Sequence, residues 1–200
     1  MGSISLKTKS KSNNLTAPGD VDLGAMIPIA TSTVGAGGVA TVTFSDIPQN
    51  YEHLQIRFIS RNTRGSNTLD AIGIRANADS ANNYANHRIY GAGATVTGTG
   101  EITVNRITIS HAPASTGAGA NAFGSGIVDI LDYKNTNKNK TIKSLGGYDD
   151  STQSNGIVGL YSGVWLSTTA INSLTIVSTD GTGFSQYSSF ALYGIKIAGA

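Results

Sequence analysis

Ser188-Ser189-Phe190-Ala191-Leu192-Tyr193-Gly194-Ile195-Lys196-Ile197 decides the fold class of this chain, because its alternate positions are apolar on both sides. Phe190 and Leu192 fall on one face, and Ala191, Tyr193, Ile195 and Ile197 on the other. Successive side chains of a strand point to opposite faces. Such a strand belongs inside a sheet covered on both sides, or covered by its own domain on one side and by a neighbouring subunit on the other. It is expected to be the most buried strand and to close the core, so that the earlier strands leave a slot for it and the whole folds as one unit.

Working outward, the alternation recurs. Residues 26–34 read as a strand interrupted by Pro28, which suits an edge because proline has no N–H to give to a ladder. Gly35-Ala36-Gly37-Gly38 reads as a tight hairpin connection to a partner strand in which Val39, Thr41 and Thr43 alternate with Ala40, Val42 and Phe44. Residues 53–60 put Leu54, Ile56 and Phe58 on one face and Gln55, Arg57 and Ile59 on the other. Further strands are expected at 71–76, 87–90, 102–110, 122–133 (the longest candidate), 141–148, 157–166 and 170–178. A change of phase at Asn105-Arg106 reads as a bulge, residues 77–86 as an Asn-rich loop, and residues 91–100 as a Gly/Thr connection. About eleven segments at regular spacing, with no helical period, predict an all-β fold. The expected architecture is a single antiparallel β-sandwich, jelly-roll-like, over residues 26–200, preceded by an extended N-terminal arm over residues 1–25.

Composition agrees. The chain is 39% hydrophobic but only 13% charged, against a usual charged share of about 25%, and Gly, Ser, Thr, Asn and Ala make up the difference. Two hundred residues suit one undivided sandwich or barrel. With no cysteine, neither a disulfide framework nor a thiolate metal site is available. Residues 1–20 lack the apolar run of a signal peptide, and no stretch approaches the roughly 18 apolar residues of a membrane span. The expectation is synthesis in a cytoplasm without membrane insertion. Lys7, Lys9 and Lys11 precede the first acid, Asp20, which makes the arm a basic tip on a nearly neutral body. Ile4-Ser5-Leu6-Lys7-Thr8-Lys9 alternates apolar and polar residues, so the arm is a candidate docking strand through Ile4, Leu6, Lys7, Lys9 and Lys11. A solvated terminus is the plainer reading.

Candidate chemistry is sparse. His53, His87 and His111 stand far apart with no ligand spacing, and no G-x-S-x-G elbow occurs, although serines abound for a Ser/His/Asp arrangement. Asp129 and Asp132 have odd separation and so lie on opposite faces of one strand, which bars them from acting as a carboxylate pair. One of them pairing with Asp149 or Asp150 across a sheet would leave glycosidase chemistry open. Asp79-Ser80-Ala81-Asn82-Asn83 lacks the acidic density of a calcium loop and reads as an Asx-turn. Scattered arginines on a near-neutral body give no footprint for nucleic acid. Tyr84, Tyr90, Tyr133, Tyr148, Tyr161 and Trp165 are either stacking platforms for sugars or core residues. Asn82, Asn83, Tyr84, Asp149 and Asp150 are the candidate ligand-loop residues. No cofactor, metal or catalytic residue is assigned.

Four stretches together carry a resemblance: residues 46–57 (DIPQNYEHLQIR), Asn82-Asn83-Tyr84 with His87, residues 127–133 (IVDILDY), and residues 187–196 (YSSFALYGIK). The chain resembles, over about residues 40–197, a group of virion structural proteins from tailed phages of aquatic bacteria. Ser3-Ile4-Ser5-Leu6-Lys7 is similar to a short leader found before fibre-like domains in such phages. The resemblance implies a non-enzymatic virion protein, assembled in the host cytoplasm and attached to the particle through its arm. As a tail-fibre or receptor-binding module it would bind a host surface glycan. The alternatives are a capsid decoration protein and, from another class, a glycan-degrading enzyme of the virion. Its partners would be other tail or capsid proteins and copies of itself, with threefold association as one form, since unpaired strand edges need covering.

Overall fold

The computed structural model describes residues 25–65, 67–114, 117–150, 156–180 and 183–196. They form an all-β sandwich. The strands are β1 (Met26–Thr33), β2 (Thr41–Phe44), β3 (His53–Ser60), β4 (Leu69–Ala76), β5 (Tyr84–Ala92), β6 (Thr95–Val104), β7 (Ile107–Pro113), β8 (Gly124–Ile130), β9 (Lys140–Tyr148), β10 (Ile157–Trp165), β11 (Leu174–Ser178) and β12 (Ser189–Ile195). An eight-stranded sheet has the order β1-β12-β3-β8-β9-β10-β5-β6, and a four-stranded sheet the order β2-β11-β4-β7. Every strand-to-strand pairing within the sheets is antiparallel.

The core lies between the sheets. Leu54, Ile56 and Phe58 of β3, Val128 and Ile130 of β8, and Phe190 and Leu192 of β12 face Ile72 and Ile74 of β4 and Leu174 and Ile176 of β11. Phe190 stacks on Phe58 at 5.8 Å and meets Phe184 edge-on at 4.9 Å. As expected, β12 lies inside a sheet, between β1 and β3, and β1 with its Pro28 is an edge. The most buried strand is a different one. All seven residues of β7 are buried, whereas the outward side chains of β12, Ala191, Tyr193 and Ile195, are half-buried.

Three further expectations are corrected. β1 and β2 are not a hairpin: β1 pairs with β12 and β2 with β11, so the glycine-rich link at 35–38 carries the chain from one sheet to the other. The phase change at Asn105-Arg106 is not a bulge but a crossover, where the chain leaves β6 in the large sheet and enters β7 in the small one. The Gly/Thr stretch at 91–100 is no connection: it completes β5 and supplies most of β6, at ten residues the longest strand, while β8 has seven.

β7 can press against the large sheet because the strands behind it have glycine where a side chain would collide. A Cβ on Gly163 would lie 2.4 Å from Ile107 Cγ2, and one on Gly146 2.4 Å from Ser110 Oγ. The Ser144 hydroxyl, on β9, donates to the Ile109 carbonyl at 2.5 Å. β7 is thus an edge of the small sheet whose open side is filled by the large one.

Candidate functional site

Register, not sequence proximity, assembles the most distinctive surface. On the outer face of the large sheet Ile127 stands opposite Leu145, Leu145 opposite Leu160, and Leu160 opposite Ile89. Four strands thereby present one continuous apolar ridge to solvent, its members 39%, 50%, 58% and 51% exposed in that order. Directly opposed side chains on a sheet lie within contact distance of each other, so this is a surface and not scattered residues. To one side runs a polar row, Gln55-Asp129-Lys143-Ser162-His87. To the other runs a row of small residues and one valine, Ser125-Gly147-Val158-Gly91.

The ridge divides a hollow face. A depression of about 1070 Å³ lies between it and the polar row, floored at one end by Gly98 and Gly100 of β6. A second, of about 930 Å³, lies between it and the small-residue row. Ile127 and Leu145 line both. The polar row is internally ordered: Gln55 Nε2 donates to Asp129 Oδ1 at 2.8 Å, and Arg57 Nε donates to Gln55 Oε1 at 3.0 Å.

The polar row includes Ser, His and Asp, but not as a catalytic relay. Ser162 stands opposite His87, yet the imidazole leans the other way, over Gly100, where a Cβ would lie 2.5 Å from Nε2. Asp129, the acid that would have to orient it, is three strands off, about 14 Å at the usual strand spacing. Asp132 is occupied elsewhere: it pairs with Lys138 and lies 3.4 Å from His53 Nδ1, and its carboxyl is held below the usual range chiefly by the Lys138 hydrogen bond. Among the described residues no three His, Asp or Glu side chains converge as a metal site.

The sequence-predicted ligand loops do not form one site. Asn82 and Asn83 are exposed, with Asn83 Nδ2 donating to Asp79 Oδ2 at 3.0 Å. Asp79 accepts the Ala81 N–H at 2.9 Å, the geometry of an Asx-turn, and the Trp165 indole N–H at 2.8 Å. The Asn83 and Trp165 hydrogen bonds hold its carboxyl below the ordinary range. Tyr84 is a correction: its side chain is fully buried against Trp165, with its hydroxyl donating to the Asp79 carbonyl at 3.0 Å, so the ring is closed to a surface ligand. Burial raises its pKa to about 12. Asp150 is a second correction. It is buried and accepts the Gly119 N–H at 2.6 Å, while Arg61 donates to the Gly119 and Ala122 carbonyls at 2.8 Å each, so the pair fastens the 117–122 loop. Asp149 is exposed and lines the smaller hollow. It adjoins the Ile157 end of β10 and Tyr84 the Trp165 end, about 27 Å apart at the antiparallel rise. The arm residues Ile4, Leu6, Lys7, Lys9 and Lys11 lie outside the described residues.

The other proposed sugar platforms turn inward as well. Tyr133, Tyr148 and Tyr161 are buried, and Tyr90 is half-buried against His111. Tyr161 Oη lies 2.8 Å from His111 Nδ1. Burial, reinforced by Arg88, lowers the His111 pKa to about 4. Lys140 is buried too, its ammonium donating to the carbonyls of Asn135 (2.5 Å), Thr168 (2.9 Å) and Lys138 (3.1 Å), which is a structural brace for the 133–139 turn. These groups are sequestered, whereas the two hollows of the outer face are open to solvent. Sequence reasoning missed the ridge between them because each of its residues comes from a different strand; the local signals were outward apolar residues beside inward ones, Ile127 beside Val128 and Leu160 beside Tyr161.

Comparison with protein-family models, with curated proteins and with solved structures finds no match to this chain.

Proposed function

We propose that the chain is a non-enzymatic structural subunit of a tailed-phage particle, held against other virion proteins by the outer face of its large sheet. The observation that carries the reading is the Ile127-Leu145-Leu160-Ile89 ridge. Contiguous exposed apolar surface of this kind, rimmed by polar groups, marks interaction sites. The sequence resemblance supplies the virion setting, and assembly in the host cytoplasm goes with it. Aliphatic side chains suit a protein partner, and Tyr84, Tyr133, Tyr148, Tyr161 and Trp165 are buried and Tyr90 half-buried, while the exposed Tyr187 stands apart from the ridge. This favours a decoration protein over a receptor-binding tail fibre or a glycan-degrading enzyme.

The test is particle assembly with the double substitution Leu145→Lys, Leu160→Glu, which sets opposite charges on the two facing positions. Both side chains are exposed, so the variant is expected to fold with an unchanged melting temperature and to be lost from purified particles. Incorporation at the wild-type level would overturn the reading. Imaging particles labelled with an antibody against residues 26–200 separates the positions: label over the head agrees with decoration, and label confined to the tail would restore the receptor-binding alternative.

A further inference from the structure

β6 ends the large sheet and, among the described residues, pairs only with β5. Natural edge strands are blunted by lysine, proline, bulges or shortness, because a free row of N–H and C=O groups recruits other strands. β6 has ten residues with no Lys, Arg or Pro, and its one acid, Glu101, is bound to Arg88 at 2.9 Å. Its register against β5 shifts between Glu101 and Val104, where Thr103 has φ 57°, and the alternation of exposed and half-buried residues is unbroken from Val96 to Ile102. Val96 and Ile102, at 72% and 75%, are the most exposed large hydrophobic residues described.

The stretch Val96-Thr97-Gly98-Thr99-Gly100-Glu101-Ile102 is nearly symmetric about Thr99. An antiparallel pair of two copies reverses one strand against the other. Centred on Thr99, it sets Val96 opposite Ile102 of the second copy, Thr97 opposite Glu101, Gly98 opposite Gly100 and Thr99 opposite Thr99. Two aliphatic pairs cover the exposed Val96 and Ile102, a Thr–Thr pair marks the axis, and each threonine hydroxyl at 97 faces a carboxylate. The Thr–Thr pair is of a kind that stabilises adjacent strands, and the aliphatic pairs remove exposed apolar surface from water. We infer that β6 is a self-pairing edge: two copies of this chain join through β6 about a two-fold axis at Thr99, making one continuous sixteen-stranded sheet. The hollow floored by Gly98 and Gly100 then runs across the axis into its counterpart. Such pairing closes as a dimer, so it is two-fold and not threefold. The inference stands apart from the virion reading, since it uses the edge of the sheet and not its ridge.

The chain has no cysteine, so Thr99→Cys introduces a single thiol. Strand pairing brings the two Cα atoms to about 4.5–5.5 Å, inside disulfide range, and mild oxidation of the full-length variant is expected to give a covalent dimer. Thr97→Cys is the control: in this register its two copies are about 14 Å apart and stay unlinked. In sedimentation, Val96→Lys with Ile102→Lys sets like charges opposite each other and is expected to run at the monomer mass of 20.6 kDa. Val96→Lys with Ile102→Glu sets opposite charges together and is expected to return to twice that mass. A wild-type chain monomeric up to its solubility limit, absence of cross-linking through position 99, or a dimer that survives the double-lysine change would each overturn the inference.

Discussion

β6 and β7 are consecutive strands joined by two residues, and each is an edge of its sheet. One is the most open of the described strands and the other is buried at every residue. β7 reads ITISHAP, with serine, threonine and histidine among its seven residues; β6 reads TVTGTGEITV. β7 is the more apolar of the two, but that does not explain why its threonine, serine and histidine are buried as well. What separates them is the layer behind. β7 lies over β9 and β10, whose Gly146 and Gly163 admit it and whose Ser144 hydroxyl takes up its Ile109 carbonyl. β6 lies at the end of an eight-stranded sheet facing a four-stranded one, and of its large apolar residues Val104 packs against the core while Val96 and Ile102 stay exposed. An edge is therefore closed by the opposing sheet, and its own residues need only fit that sheet.

The contrast can be broken most forcefully from the β7 side. Gly163→Val would drive a side chain into Ile107, and overpacking of this kind costs about 3 kcal/mol or more. Chemical denaturation should show a large fall in midpoint or no folded baseline. Acid gives the next effect. The folded pKa of His111, lowered to about 4, lies below its ordinary 6.5, so the unfolded chain takes up the extra proton in that window. The contribution is complete above pH 6.5 and is lost as pH falls toward 4, by up to about 3 kcal/mol. Melting temperature followed across that range should drop, and His111→Gln should flatten the drop. Arg88 beside the ring deepens the effect and Asp70 opposes it.

Asp70 of β4, fully buried opposite Ala112 of β7, is the third probe. It accepts hydrogen bonds from Asn62 Nδ2 (3.0 Å), Thr179 Oγ1 (2.9 Å) and the Ser178 hydroxyl. Asp70→Ala leaves buried donors without that acceptor and is expected to cost about 2 kcal/mol, read as a shift in urea midpoint. The smallest effect sharpens the contrast from the other side: Val96→Lys or Ile102→Lys should change monomer stability by no more than about 0.5 kcal/mol. A fall comparable to that of Asp70→Ala would mean that β6 is packed in the monomer.

The sandwich itself was legible because alternation survives in most strands: Leu54, Ile56 and Phe58, or Phe190 and Leu192, mark their inward faces without help. β6 was not, since Gly98 and Gly100 punctuate a sequence like a turn, while the threonines between them favour a strand. The β1–β2 hairpin failed because glycines mark a change of direction and not the sheet the chain returns to. Two of the candidate ligand residues were misplaced for a related reason. Tyr84 and Asp150 were chosen for chemical type, and their burial depends on Trp165 and on the 117–122 loop, which are distant in sequence. The ridge was illegible because only the cross-strand register brings Ile127, Leu145, Leu160 and Ile89 into line.

The insertion of β12 between β1 and β3 has a consequence measured in time. On the ribosome, β3 is finished at residue 60, but the strand that covers one of its sides ends at residue 195. Synthesis at 5–20 residues per second makes that interval on the order of 10 s. Throughout it, the backbone of Leu54, Ile56 and Phe58 lacks its hydrogen-bonding neighbour along that side. The nascent chain therefore carries an unpaired strand edge through much of its translation, the condition under which a strand pairs with other chains.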